Sequence, residues 1–108
     1  NVVINEFTVA PKLENEGDLP CHEWCLELET SDFNKKEFSN HLNSALCNKN
    51  IYYRDLIDGK VLKELEIAIV KKGTFENYMK SKGKLGGQNK IPRLSNNREL
   101  IEGILKVN

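Results

Sequence analysis

The sequence has no apolar run near the roughly 18 residues that a membrane-crossing helix requires. It opens Asn1-Val2-Val3-Ile4-Asn5-Glu6, without the basic start and apolar stretch of a secretory leader. It also has no initiator Met, so the expectation is a processed product or a piece of a longer chain. Net charge is absent: 16 basic residues balance 16 acidic ones. General nucleic-acid and membrane-surface binders carry excess positive charge, so neither partner is expected. An even set of cysteines is missing too. Cys21, Cys25 and Cys47 cannot all pair within the chain, which points to reduced thiols in the cytoplasm. There is no internal repeat and no low-complexity tract. The 108 residues suffice for one small domain that buries about 65% of its unfolded surface, and are too few for a two-domain enzyme with its own cleft.

What is present alternates first as strand, then as helix. Residues 2–10 are β-branched and alternate, which predicts a strand that Pro11 ends, since proline cannot donate to a ladder. Residues 12–21, with Gly17 and Pro20, read as a loop. Residues 22–30 predict a second strand, with Trp24, Leu26 and Leu28 facing the core and Glu23, Glu27 and Glu29 facing water. The two strands are expected to pair as an antiparallel hairpin. Cys21, His22 and Cys25 do not make a zinc site on this reading, because Cys25 faces away from Trp24 and a fourth ligand is not evident.

Asn34 then reads as an N-cap, with Glu37 three residues on and a Phe33/Phe38 staple. Phe38, Leu42, Ala45, Leu46 and Lys49 follow helical spacing, and their stripe is expected to cover one face of the sheet. Residues 50–57 predict a short second helix, closed by Asp58-Gly59. Tyr52, Tyr53 and Arg54 have a cleft-facing reading, and core packing is the one expected for the two tyrosines. Residues 64–70 alternate as a third strand with Leu65, Ile67 and Ile69 on one face. Thr74 is expected to cap a helix over 75–82, with Phe75, Tyr78 and Met79 inward and Gly83 at its C′ position. Asn96 and Glu99 read as a capping pair for a last helix that ends near Lys106 and turns Leu100, Ile101, Ile104 and Leu105 inward. Gly103 weakens that helix by up to ~1 kcal/mol. The order is ββα(α)βαα, an α+β fold in which helices pack on a small mixed or antiparallel sheet.

Charge is unevenly spread. Residues 1–32 hold eight acids and one base, Lys12, while residues 79–98 hold six bases and no acid. The basic stretch contains Gly83-Lys84-Leu85-Gly86-Gly87-Gln88-Asn89-Lys90-Ile91-Pro92-Arg93-Leu94. Its glycines permit close backbone approach to a ligand, and N–H groups in such turns can form an anion nest. Lys90 adds a point charge and Arg93 a planar fork suited to phosphate or carboxylate. Pairing of Arg93 with Glu99 or another acid is the competing role. A P-loop is excluded, because Gly87 is followed by Gln88 and not by lysine. His22 and His41 have no nucleophile or carboxylate pattern beside them. A non-enzymatic module that binds a polyanion through residues 79–98 is the alternative reading. The absence of aromatics from residues 80–98 counts against single-strand recognition.

The stretch from Gly83 to Asn96, preceded by Gly73-Thr74-Phe75, resembles the C-terminal end of the auxin-responsive promoter family. Its members are acyl-acid amido synthetases of the adenylate-forming superfamily. Phe7-Thr8-Val9-Ala10-Pro11 and His22-Glu23-Trp24 are similar to that family too, particularly to its bacterial branch. The resemblance implies a small C-terminal lid domain, spanning residues 1–108, that swings over a larger N-terminal domain. The larger domain binds ATP, with Mg, and the acyl acid. It implies a ligase that adenylates a carboxylate and then forms an amide with an amino acid. Asn89-Lys90-Ile91-Pro92-Arg93 is similar to the superfamily's final motif, roughly Gly-Lys-x-x-Arg. That similarity places the catalytic lysine on Lys90 and nucleotide contacts on Gly86, Gly87, Gln88, Asn89 and Arg93. Asn89 departs from the pattern, which has glycine there. The motifs of the N-terminal domain do not occur in this chain, so the chain alone is expected to be inactive.

Overall fold

The computed structural model describes residues 3–13, 17–29, 34–83 and 90–108. They form, in order, β1 (Ile4–Lys12), β2 (Cys21–Leu28), α1 (Lys35–Lys49), α2 (Ile51–Asp58), β3 (Glu66–Val70), α3 (Thr74–Ser81) and α4 (Glu99–Val107). The sheet order is β1-β2-β3. β1 pairs antiparallel with β2, as the hairpin reading requires, and β3 pairs parallel with β2. A parallel neighbour needs a crossover, and α1 with α2 supplies it. The sheet is therefore mixed and the class α+β, as expected.

β1 runs past Pro11, which sits opposite His22. The expectation that proline ends the strand is corrected, and backbone parity explains why. The Val9 N–H and C=O both point away from β2, toward Arg93 and Ser95. Pro11, two residues on, presents its nitrogen to the same outer edge, where no bond to β2 is lost.

Both faces of the sheet are covered. On one, Leu26, Leu28, Leu65 and Ile67 are buried under Phe38, Leu42 and Leu46 of α1, with Phe7, Trp24 and Ile69 around them. On the other, Ala10, Cys25 and Val70 meet Phe75, Ile91, Ile101 and Ile104. Cys25 and Trp24 thus face opposite ways. The second layer corrects one expectation: Glu23 and Glu27 are buried, at 7% and 6% exposure, and do not face water. Glu29 does, where it pairs with Lys72 at 2.6 Å.

The helix starts are partly as predicted. The Asn34 side chain accepts the Glu37 N–H at 2.9 Å; Phe33 lies outside the described residues. Asn50 caps α2 by accepting the Tyr53 N–H at 3.1 Å. Ala45 and Lys49 are exposed and fall outside the α1 stripe. Asn43 is buried instead, where its Oδ1 accepts the Tyr53 hydroxyl at 2.6 Å. Tyr53 packs inside as expected, but Tyr52 is 80% exposed. Thr74 is not a cap: Gly73, at φ 91°, precedes α3, and the Thr74 hydroxyl donates to Asn108 Oδ1 at 3.3 Å. The Asn96–Glu99 pair is likewise replaced, since Asn97 Oδ1 accepts the Glu99 N–H at 3.0 Å. Gly83 does end α3 with φ 67°. Gly103 has a packing reason, because a Cβ there would lie 2.7 Å from the Tyr78 ring.

Candidate functional site

The site expected from the sequence lies between α3 and α4. Residues 84–89, which include Gly86, Gly87, Gln88 and Asn89, lie outside the described residues. Lys90, Arg93 and the segment that carries them are described.

That segment is fixed from three directions. Ile91 is buried among the side chains of α3, α4 and the sheet. The Thr8 hydroxyl, 1% exposed, donates to the Pro92 carbonyl at 2.7 Å. Val9 donates its N–H to the Arg93 carbonyl and accepts the Ser95 N–H, each at 2.9 Å. Residues 92–95 thus add a short parallel pairing to the outer edge of β1, with a bridge between Val9 and Leu94. An exposed edge offers unpaired donors and acceptors, and here the motif segment takes them up.

With Ile91 held inward, Lys90 is exposed. No ion pair engages its ammonium among the described residues. Lys90 borders a cleft of about 320 Å³, together with Lys82, Tyr78, Met79 and Leu100. The Lys82 ammonium lies 5.9 Å from the Tyr78 ring centre. Two lysines thus line the cleft and offer positive charge to an anionic group.

Both arginines of the basic stretch are already engaged. Arg98 donates to Glu23 at 2.7 Å and to Glu102 at 2.9 Å. Arg93 pairs with Glu6, and not with Glu99. It also donates to the Phe7 carbonyl at 2.9 Å, and its guanidinium carbon lies 4.5 Å from the Phe7 ring centre. Lys80 lies 3.7 Å from Glu76. Among the described residues of the basic stretch, Arg93, Arg98 and Lys80 thus have carboxylate partners, while Lys82 and Lys90 have no ion pair.

The two buried thiols and His22 offer no reactive group. Burial, followed by the charges of Glu23 and Glu27, pushes the Cys25 thiol up to about 12. Burial also raises the Cys21 thiol, with Glu66 adding to it. Neither is a nucleophile at neutral pH. His22 is shifted down by burial and stacks on Tyr53 at 5.9 Å. Among the described residues no three His, Cys, Asp or Glu side chains group as a metal site. Sequence reading missed Thr8 and Glu6 as supports of the site. The place of Thr8 in the strand alternation is a weak signal for it, and Glu6 has none.

Residues 1–99 match the model of the GH3 family C-terminal domain. The chain belongs to the GH3 family. This is the family that the Gly83–Asn96 pattern resembles. Two solved GH3 structures share the fold. A GH3.15 acyl acid amido synthetase superposes with a TM-score of 0.74 at 22% identity, over 98% of this chain and 20% of the larger one. AtGH3.15 acyl acid amido synthetase in complex with 2,4-DB gives 0.72 at 21% identity, over 97% and 20%. This GH3 domain therefore spans about a fifth of the length of either protein. No curated protein sequence matches it.

Proposed function

We propose that this GH3 domain is the lid of a larger, bacterial-branch acyl-acid amido synthetase, and that Lys90 is the cation it brings to the nucleotide. The observation that carries the reading is the contrast within one short segment: Ile91 is buried, while Lys90 beside it is exposed and unpaired among the described residues. A side chain whose backbone is anchored and whose charge is free suits a preorganised electrostatic role.

The reaction assigned to the parent enzyme has two halves. A carboxylate attacks the α-phosphate of ATP, and pyrophosphate leaves. The amine of an amino acid then attacks the acyl carbon, and AMP leaves. Negative charge grows on phosphate oxygens in the first half. An ammonium aimed at that charge in a dry cleft stabilises the transition state more than the ground state. Residues 86–89 are assigned to the nucleotide phosphates by the motif alone. Mg and most ATP contacts belong to the N-terminal domain, the lid's partner in the same polypeptide. Closure of the lid assembles the site and keeps water from the adenylate. The assigned setting is the cytoplasm. The 108-residue chain, with one wall of the cleft, forms no amide by itself.

In the intact enzyme, Lys90→Ala should slow adenylation by roughly 10²–10³-fold, as loss of one oxyanion donor does. Amide formation from a supplied acyl-adenylate should be far less affected. Equal loss in both halves, or ATP–pyrophosphate exchange by the 108-residue chain alone, would overturn the reading.

A further inference from the structure

Arg93 carries the second cation of the motif, and the fold places it against β1. Its Nη1 meets the Glu6 carboxylate and the Phe7 carbonyl oxygen. Its plane lies over the Phe7 ring, 4.5 Å from the centroid. Phe7 in turn stacks on Trp24 of the central strand at 5.5 Å and 18°. The guanidinium is thus the outer layer of a three-member stack that reaches the middle of the sheet.

A phosphate approaching Arg93 would also approach the Glu6 carboxylate, whose charge opposes it. The same contacts suit another task. Only Ile91 and Pro92 separate Arg93 from Lys90, and both are constrained. Ile91 is buried, and Pro92 has a fixed φ and a carbonyl held by Thr8. Fixing Arg93 on β1 therefore fixes the base from which the Lys90 side chain extends. Displacement of a reacting or stabilising group by about 1 Å can cost 10²-fold in rate.

We propose that Arg93 is a positioning residue: with Glu6 and Phe7 it clamps the Lys90-bearing segment to β1 and does not itself contact the nucleotide. This rests on the reading of Lys90 given above.

The test uses ATP–pyrophosphate exchange by the intact parent enzyme, with kcat and the KM for ATP measured separately. Thermal unfolding checks that each variant is folded. Arg93→Ala should lower kcat roughly tenfold, a fraction of the loss that misplacement can cause, with the KM for ATP unchanged. Arg93→Lys should not restore kcat, because lysine has no planar guanidinium to lie over the Phe7 ring while one nitrogen holds Glu6 and the Phe7 carbonyl. Glu6→Gln should lower kcat in the same direction, and should add nothing to Arg93→Ala. In a Lys90→Ala background, Arg93→Ala should have no further effect, since the group it positions is gone. A raised KM for ATP with kcat held, or rescue by Arg93→Lys, would make Arg93 a nucleotide ligand and overturn the inference. A further tenfold loss in the Lys90→Ala background would overturn it while leaving the role of Lys90 intact. Unchanged exchange in Lys90→Ala alone would remove the functional reading and this inference with it.

Discussion

Glu27 Oε1 accepts the backbone N–H of Phe75 at 3.0 Å, so a carboxylate on the central strand meets the first turn of α3. Helix starts leave N–H groups without partners and carry partial positive charge. A buried carboxylate there satisfies the helix and is itself satisfied. The contact also fixes where α3 begins, and α3 carries Tyr78 and Met79, which line the cleft beside Lys90.

Removing that acceptor should therefore be costly. Glu27→Ala leaves a buried N–H without a partner and is expected to destabilise the fold by about 2–3 kcal/mol. Glu27→Gln keeps an oxygen at the same reach and should cost about 1 kcal/mol. Urea unfolding of the two variants checks the order. Equal losses would mean that the volume of the side chain, and not its oxygen, matters.

The contrast with Glu29 shows how far sequence reading reaches. Alternation along β2 correctly separates Trp24, Leu26 and Leu28 from Glu23, Cys25 and Glu27. It cannot say that a second helical layer covers the glutamate face, because the partners lie 48 and 75 positions away, at Phe75 and Arg98. Local signals fare better. The Asn34 cap, the Asn50 start and the positive φ of Gly83 each depend on a few neighbouring residues. Thr74 and Asn96 read as caps from the sequence, but the adjacent residues Gly73 and Asn97 take those places. The Lys90 motif was legible as a pattern. Its attachment to β1 was not, since the bond from Thr8 to Pro92 and the bond from Arg93 to Glu6 span 84 and 87 residues.

Thr8 tests that attachment. Its hydroxyl is buried and donates to the Pro92 carbonyl. Thr8→Val preserves the shape and removes the donor, leaving the carbonyl unmatched at a cost of about 1–2 kcal/mol. Hydrogen exchange at the Val9 and Ser95 amides should speed up, because both hold the same segment. Thr8→Ser should keep those amides slow. Unaltered exchange in Thr8→Val would show that Ile91 alone anchors the segment.

Gly103 offers a case where two effects of opposite sign can be weighed. Replacing a helical glycine with alanine ordinarily gains up to about 1 kcal/mol. Here the new methyl group would sit 2.7 Å from the Tyr78 ring, and overpacking costs about 1–3 kcal/mol. Gly103→Ala should be net destabilising. In a Tyr78→Ala background the clash is gone, and the same substitution should stabilise. A change of sign between the two backgrounds, read by thermal unfolding, is the expected result; the same sign in both would contradict the close approach of α3 and α4.

Alkaline unfolding reports on the buried thiol and phenol. Burial raises Cys25 from its usual 9.0 to about 12, and raises Tyr53 from 10.0 to about 12. For both groups the folded state keeps its proton to higher pH than the unfolded chain does. Well below pH 9 the two states bind equal protons at these sites, so stability there does not depend on them. As pH rises from 9 toward 12, the unfolded chain loses protons first and is favoured. Each group then removes about 1.4 kcal/mol of stability per pH unit, with Cys25 acting from about pH 9 and Tyr53 from about pH 10. Cys25→Ala should be somewhat less stable at pH 7, where it leaves a small void. Its stability should nevertheless fall less steeply than the wild type between pH 9 and 12. Urea midpoints taken across that window decide the matter: parallel curves for the two proteins would mean that the thiol ionises as easily in the fold as in the open chain.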